Sequence, residues 1–221
     1  MASTLDSDPV AGLLAELYTQ AEAARPAQNP AEAGGVDLTD ADAGVQARAD
    51  AAQDRYMPIA PETGRLLYSL IRAARPETVV EFGTSYGLST LHLAAAVRDN
   101  GVGHVYSTEA NAKKVASARA TLAQAGFDDI VTVLEGDALQ TLEIVDGPIG
   151  FLLLDGWKDL YLPLIGLLEP QLVPGALIAA DNAGHAGTAP YLAYIRDPAN
   201  GYTSVNLPAK QDDSMELSSR N

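Results

Sequence analysis

The sequence predicts an α/β protein: a doubly wound, mostly parallel sheet that ends in a C-terminal antiparallel hairpin and is preceded by N-terminal helices. Three observations carry this expectation. β-Branched apolar runs alternate with helical stripes through the middle of the chain, which implies parallel strands joined by helical crossovers. The stretch Thr78-Val79-Val80-Glu81-Phe82-Gly83-Thr84-Ser85-Tyr86-Gly87-Leu88 reads as a buried strand, a glycine turn and a helix start, the way such a sheet opens its ligand crevice. An acid follows each of strands two to five, at the carboxyl ends where open parallel sheets bind ligands.

Taken in order, Val10, Leu13, Leu14, Leu17, Tyr18 and Ala21 form a helical stripe running from Pro9 to Arg25. Pro26 and Pro30 break it, and Gly34-Gly35 forms a loop. Thr39 or Asp40 caps a second helix that extends to about Arg55, rich in alanine and acids and poor in large apolar groups. Such a helix needs a partner surface. Residues 1–56 are therefore expected to cap an active site, to form a homodimer contact, or simply to pack on the domain of residues 57–221. Pro61 suits the first turn of a helix carrying Leu66, Leu67, Leu70 and Ile71, which Arg75-Pro76 ends. Strands are expected at 79–82, 104–108, 130–134, 149–154 and 176–180, with helices at 88–98, 111–125, 138–142, 159–169 and 190–196. Residues 202–207 and 215–219 alternate as two strands of a hairpin at one sheet edge.

Composition narrows the function. With 221 residues the chain is large enough to bury a real core as a single structural domain. Its longest apolar runs are too short to span a bilayer and its N-terminus lacks the regions of a signal peptide, so a cytoplasmic location is expected. The lack of cysteine excludes disulfides, thiolate metal sites and cysteine nucleophiles. A formal charge of -15 repels nucleic acid, anionic membranes and polyanionic substrates. Neither nucleic acid nor a membrane is an expected partner.

The glycine turn has Gly-x-x-x-Gly spacing, without the dinucleotide fingerprint and without the lysine of a phosphate loop. By itself it suits a nucleoside-type cofactor and a plain βα turn equally. Glu109 follows it by about the twenty residues at which an acid grips ribose hydroxyls. Asp137, after the third strand, is placed to accept a hydrogen bond from an adenine amino group. So many carboxylates suit a positively charged cofactor or a metal and disfavour a pyrophosphate; S-adenosyl-L-methionine, a sulfonium with no phosphate, fits. Asp155 and the pair Asp181-Asn182 end neighbouring strands and offer three hard oxygen donors, half of an octahedral Mg²⁺ site. Lys158 lies one turn further on. Taken singly, Asp155 or Asp137 also suits a helix cap, Lys158 a surface lysine and Trp157 a core plug. His92 and His104 read as structural, and His185, in the loop beside the donors, as a substrate contact or an exposed residue.

With these residues in view, the chain resembles the cation-dependent class I O-methyltransferases, the group of the catechol and caffeoyl-CoA enzymes. The similarity runs from about Met57 to Ser219. It is most specific in Asp155-Gly156-Trp157-Lys158-Asp159-Leu160-Tyr161-Leu162-Pro163 and Ala180-Asp181-Asn182. The resemblance implies a Rossmann-like methyltransferase domain with Asp155, Asp181 and Asn182 as metal ligands and Lys158 as the base. It implies that Glu81, Gly83 and Ser89 hold the methionine end of the cofactor, Glu109 the ribose, and that Trp157 flanks the adenine. Met57 and Ile59 fall beside the sulfonium and the substrate, and Ser85, Ala110, Gly136, Asp137, Ala138 and Asp155 complete the cofactor lining. Substrate contacts are expected from Met57, Lys158 and His185.

Two departures stand out. A histidine usually precedes the tryptophan, whereas this chain has Gly156. The acid that the catechol enzymes place in a late loop has no clear counterpart in Asp197-Pro198-Ala199-Asn200-Gly201-Tyr202. The expected activity is Mg²⁺-dependent methyl transfer from S-adenosyl-L-methionine to a hydroxyl of a small phenolic, catechol-like acceptor. The alternatives are a metal-independent methyltransferase and a non-catalytic cofactor-binding protein; the missing fingerprint disfavours a nicotinamide oxidoreductase. A lysine base, with a reference pKa of about 10.4, needs burial and a nearby dication to depress it.

Overall fold

The computed structural model describes residues 3–24, 36–210 and 213–221. The breaks expected at Pro26, Pro30 and Gly34-Gly35, and the helix end at Arg25, lie outside the described residues. Among the described residues no helix is long and apolar enough to cross a membrane.

Seven strands form one sheet in the order β3-β2-β1-β4-β5-β7-β6. Strands β1 (Thr78–Phe82), β2 (His104–Glu109), β3 (Val131–Glu135), β4 (Ile149–Leu154) and β5 (Leu172–Ala180) are parallel, while β7 (Asp213–Arg220) runs antiparallel to β5 and to the edge strand β6 (Tyr202–Lys210). The chain starts at the middle, winds outward through β3, then returns to build the other half from β4. The order therefore reverses between β1 and β4, and that reversal opens the crevice.

Both faces of the sheet are covered, and strand alternation assigns the residues to them. Val79, Val105, Phe151, Leu153 and Ala179 join one core with α1 (Val10–Ala24), α3 (Pro61–Ala74), α4 (Leu88–Asn100) and α5 (Ala112–Gln124). Val80, Phe82, Leu152, Leu154, Ile178 and Ala180 join the other with α6 (Ala138–Thr141), α7 (Tyr161–Leu168) and α8 (Ala189–Ile195). A strand buried on both faces reads as the continuous apolar run seen at β4, whose six residues are all buried.

The expected elements are present, with adjusted ends. Pro61 occupies the first turn of α3, and Arg75 closes it in the left-handed conformation (φ 50°) ahead of Pro76. The second helix is shorter than expected. Asp40, not Thr39, caps a single 3₁₀ turn at Ala41–Ala43; Gly44 then breaks the chain at φ 76°, and α2 covers only Val45–Ala51. At φ 76° the glycine is outside helical space, so one continuous helix from residue 40 to 55 is not possible. Strand β5 starts four residues earlier than expected, at Leu172, where it pairs with Ile149.

Candidate active site

The strand ends open into one cavity of about 800 Å³, floored by Gly83, Glu109, Gly136, Asp155 and Asp181 and roofed by the N-terminal segment. Backbone pairing sets the floor. Asp155 N donates to Phe82 O at 2.8 Å and Asp181 N donates to Leu154 O at 2.9 Å, so each acid sits one step past the preceding strand in the sheet. Gly83 lies tight against the neighbouring strand end: at φ 108° a side-chain carbon there would come within 2.8 Å of the Asp155 carbonyl. Its glycine is required by the neighbouring strand end as well as by the turn.

In the first half of the crevice, the Glu109 carboxylate accepts Ser85 N and Asn111 N, each at 2.9 Å, and so stands fixed at the cavity edge. Ser85 adopts φ 48°, which turns its amide toward that carboxylate. Glu81 lies behind the lining with no exposure at all. Its Oε2 accepts from Thr90 Oγ1 at 2.6 Å and from Ser107 Oγ, while Oε1 has no hydrogen-bond partner. Burial pushes its carboxyl above the ordinary range, against the lowering effect of the Ser107, Ser89 and Thr90 hydroxyls. A buried acceptor two residues before Gly83, with a lone oxygen, suits an ammonium donor such as the amine of a methionine group. Asp137 does not line the cavity, although Gly136 and Ala138 do; its carboxylate accepts Leu139 N at 3.0 Å and caps α6.

The second half carries the chemistry-bearing side chains. Lys158 Nζ donates to Tyr161 Oη at 2.8 Å and stands 3.5 Å from Asp155 Oδ1, with only 17% of its side chain exposed. Tyr161 in turn donates to the Asp181 carbonyl at 3.0 Å. Burial first, then the charges of Asp155 and Asp181, holds the Tyr161 phenol far above its usual pKa, so it stays neutral and can both accept from Lys158 and donate to Asp181. Asn182 takes φ 56°, a left-handed conformation that aims its short side chain back toward the strand end. Its Nδ2 donates to Asp213 Oδ2 at 2.6 Å. Burial raises the Asp213 carboxyl, but donors from Asn182, Ser214 and Gly184 together with the Lys158 charge hold it below the usual range.

Met57, half exposed, and the buried Ile59 line the cavity with Ala110, Ser89 and Trp157. His185 also lines it, but its Nδ1 accepts Gly187 N at 3.1 Å and caps the 3₁₀ turn at Ala186–Thr188. His92 and His104 lie outside the lining; His92 is buried against the Leu88 carbonyl, and His104 meets Thr132 at the start of β2. Thus the cavity gathers every site residue expected from the sequence except Glu81 and Asp137.

Several residues of the site were not singled out by pattern. Arg48 on α2 is 1% exposed; its guanidinium pairs with both oxygens of Asp159 at 2.8 and 3.1 Å and lies 5.0 Å from the Trp157 ring centre. Its signal was available, because Arg48 falls on the apolar stripe of Val45, Ala49 and Ala52. Asp213 had no local signal. It reaches Asn182 only because β7 pairs with β5. Asp197, in the late loop, caps the turn at Pro198–Asn200.

The cation donor set is two carboxylates and one amide. Among the described residues no three His, Cys, Asp or Glu side chains cluster as a metal group. Carboxylate and amide oxygens are nonetheless the ligands hard cations prefer, and Asn182, anchored through Nδ2, has its amide oxygen left for such a contact. The chemistry of the set fits Mg²⁺.

A doubly wound sheet with a reversed terminal strand, a glycine turn at its switch point and an acid at the next strand end that holds the turn amide make an α/β scaffold with its ligand crevice at the switch point. A family model described as a methyltransferase domain matches residues 80–183. The chain is 30% identical over 152 residues to the catechol O-methyltransferase of Sus scrofa, covering 65% of this chain and 80% of that protein. It is 34% identical over 149 residues to a protein of Mycobacterium tuberculosis named probable O-methyltransferase, covering 62% of this chain and 63% of that one. The chain thus spans less than two thirds of the length of the latter relative. In three dimensions it superposes on an O-methyltransferase from Bacillus cereus, solved in complex with SAH, with a TM-score of 0.68 at 21% identity, covering 93% of this chain and 100% of that one. The chain belongs to the S-adenosylmethionine-dependent O-methyltransferase family that includes the catechol O-methyltransferases.

Proposed function

We propose that the chain transfers a methyl group from S-adenosyl-L-methionine to a hydroxyl of a small phenolic, catechol-like acceptor, with a divalent cation, Mg²⁺ by preference, held by Asp155, Asp181 and Asn182. The observation that supports the reading is the placement of those three donors at two adjacent strand ends in the lining of one cavity, with the Lys158 amine 3.5 Å from Asp155 Oδ1. A bound dication acidifies a hydroxyl beside it and so lets a weak base remove the proton near neutral pH. Lys158 is that base. Tyr161 holds its Nζ by accepting one hydrogen bond, with Asp155 Oδ1 3.5 Å from the same nitrogen. Asp213 orients the Asn182 amide, and Glu109, Gly83 and Ser89 hold the cofactor at the opposite end, with Glu81 behind them. The cofactor supplies an electrophilic methyl. Fixing the two reactants in line can contribute roughly 7–11 kcal/mol to the rate.

The N-terminal segment serves this reading as a cap, since Leu38, Thr39, Val45, Ala49 and Ala52 line the roof of the cavity. The homodimer and the cytoplasmic location expected from the sequence belong to the same proposal, and sedimentation equilibrium reads the first of them. The test is methylation of catechol with labelled cofactor, with and without chelator. Turnover should fall to background in EDTA and return with Mg²⁺. Asp155→Asn combined with Asp181→Asn should abolish the Mg²⁺ stimulation. Chelator-insensitive turnover would favour the metal-independent alternative.

A further inference from the structure

The roof and the catalytic turn meet at one buried ion pair. Arg48 projects from α2 and touches the two residues that flank Lys158: its fork pairs with both Asp159 oxygens, and its plane lies over the Trp157 indole. The Arg48 side chain is 2% exposed and that of Asp159 30%. Arg48 Nε has no hydrogen-bond partner. The site thus leaves one guanidinium donor unsatisfied, a cost that an apolar residue at the same place on the Val45–Ala49–Ala52 stripe would avoid. Replacing a buried ion pair with packed apolar groups is often neutral or stabilising, so tight docking of α2 alone does not call for an arginine. What arginine adds is shape: a rigid planar fork that binds a carboxylate in one orientation while stacking on an aromatic face.

We propose that Arg48 is a positioning residue that fixes Trp157 and Asp159 from the roof, so that closing α2 over the cofactor space and assembling the Trp157-Lys158-Asp159 turn are one event. This rests on the proposed function for the statement that Trp157 borders the cofactor. The clasp has company. Asn111 Nδ2 donates to Asp50 Oδ1 at 3.1 Å, Tyr86 donates to the Gln53 carbonyl at 2.6 Å, and the Tyr56 and Tyr86 rings stack at 4.1 Å. Those contacts tie the same segment to the other half of the crevice, next to Glu109. The roof therefore spans both halves, and by linkage whatever tightens its docking tightens cofactor binding equally.

Trp157 is the only tryptophan in the chain, so its emission reads the clasp directly. In the full chain without ligand, Arg48→Met should red-shift that emission and raise its quenching by acrylamide. In turnover assays the same variant should raise the KM for S-adenosyl-L-methionine by roughly tenfold, the scale of losing one desolvated cation–π contact, and leave the KM for catechol unchanged. Arg48→Lys, which keeps the charge and loses the fork, should fall between the two. Wild-type emission, quenching and cofactor KM in a folded Arg48→Met variant would overturn the proposal. So would a fall in kcat alone, in proportion to the folded fraction, which is the mark of a merely structural anchor. If Arg48→Met does not fold, Arg48→Lys and Asp159→Asn carry the same readings with the same expected direction. If the wild-type chain neither turns over nor binds S-adenosylhomocysteine, the function proposed above fails, and the emission of the ligand-free variants still decides the clasp.

Discussion

The two halves of the crevice are built in different ways. At the ends of β1, β2 and β3 the lining comes from residues close in sequence: Gly83, Ser85 and Ser89 follow one strand, and Glu109 and Ala110 the next. Their geometry is set by backbone, through Ser85 N and Asn111 N on Glu109. At the ends of β4 and β5 Lys158 meets Asp155 and Tyr161 locally, but the other side chains are completed from elements well outside the two turns: Trp157 and Asp159 by Arg48, and Asn182 by Asp213. The first half is a platform made by turns. The second is an assembly of side chains that exists only when the N-terminal segment, the sheet and the hairpin are all in place.

That difference sets where the largest functional effect falls. Lys158→Ala removes the amine that stands 3.5 Å from Asp155 Oδ1, in the assembled half, and leaves the platform intact. Turnover should drop by roughly two to four orders of magnitude, the usual contribution of a positioned general base. Affinity for S-adenosylhomocysteine, measured by calorimetry, should stay near the wild-type value. A parallel loss of both would mean that the halves are not separable in this way.

The same difference explains what was legible in the sequence. The alternation of strands and helices, the parallel crossovers and the positions of the terminal acids follow from periodicity and turn residues, which are local. Asp155, Asp181, Asn182 and Lys158 were therefore visible as a group, because each stands next to a strand end. Asp137 shows the limit of that reasoning: a strand-end acid can spend its carboxylate on the helix that follows, and this one does. Glu81 was visible as the end of an apolar run, but its depth behind the lining depends on Ser107 and Thr90 from two other elements. Asp213 carries no local signal, since its partner Asn182 lies 31 residues away; Arg48 is marked by its place on an apolar stripe, but its partner Asp159, 111 residues away, is not. The second helix is shorter than its alanine-rich sequence suggests because Gly44, at φ 76°, breaks it.

A middle-sized effect is expected where the halves touch. Gly156 stands where the catechol enzymes usually carry a histidine, and a side-chain carbon there would lie 2.4 Å from Phe82 Cζ. Phe82 is 5% exposed and packs edge-on against Tyr161 at 6.3 Å, so its ring has little room to yield. The missing histidine is thus matched by a ring that fills its place. Gly156→Ala should cost about 1–3 kcal/mol of stability through overpacking. Phe82→Leu should relieve much of that cost in the double variant, giving a coupling of at least about 0.5 kcal/mol in a denaturation cycle. Additive losses would show that the two positions do not share the space.

The smallest effect sharpens the comparison from the roof. Two of the ion pairs between the N-terminal segment and the body differ sharply in exposure: Arg48 with Asp159, whose side chains are 2% and 30% exposed, and Lys113 with Asp54, whose side chains are 59% and 71% exposed. The hydrogen bond from Lys113 to Asp54 raises the Lys113 pKa, yet both groups stand in water, where screening and the entropy of holding two long side chains cancel most of the attraction. Lys113→Ala should therefore leave the thermal midpoint, the Trp157 emission and the KM for the cofactor unchanged within error, while Arg48→Met moves the last two. The reason is geometric. The exposed pair can re-form in many arrangements and specifies none, whereas the buried fork has one carboxylate and one indole face to meet. Equal weakening of cofactor binding by the two variants would show that the roof is held by net charge and not by the shape of a single guanidinium, and the distinction between platform and assembly would then fail at its most specific point.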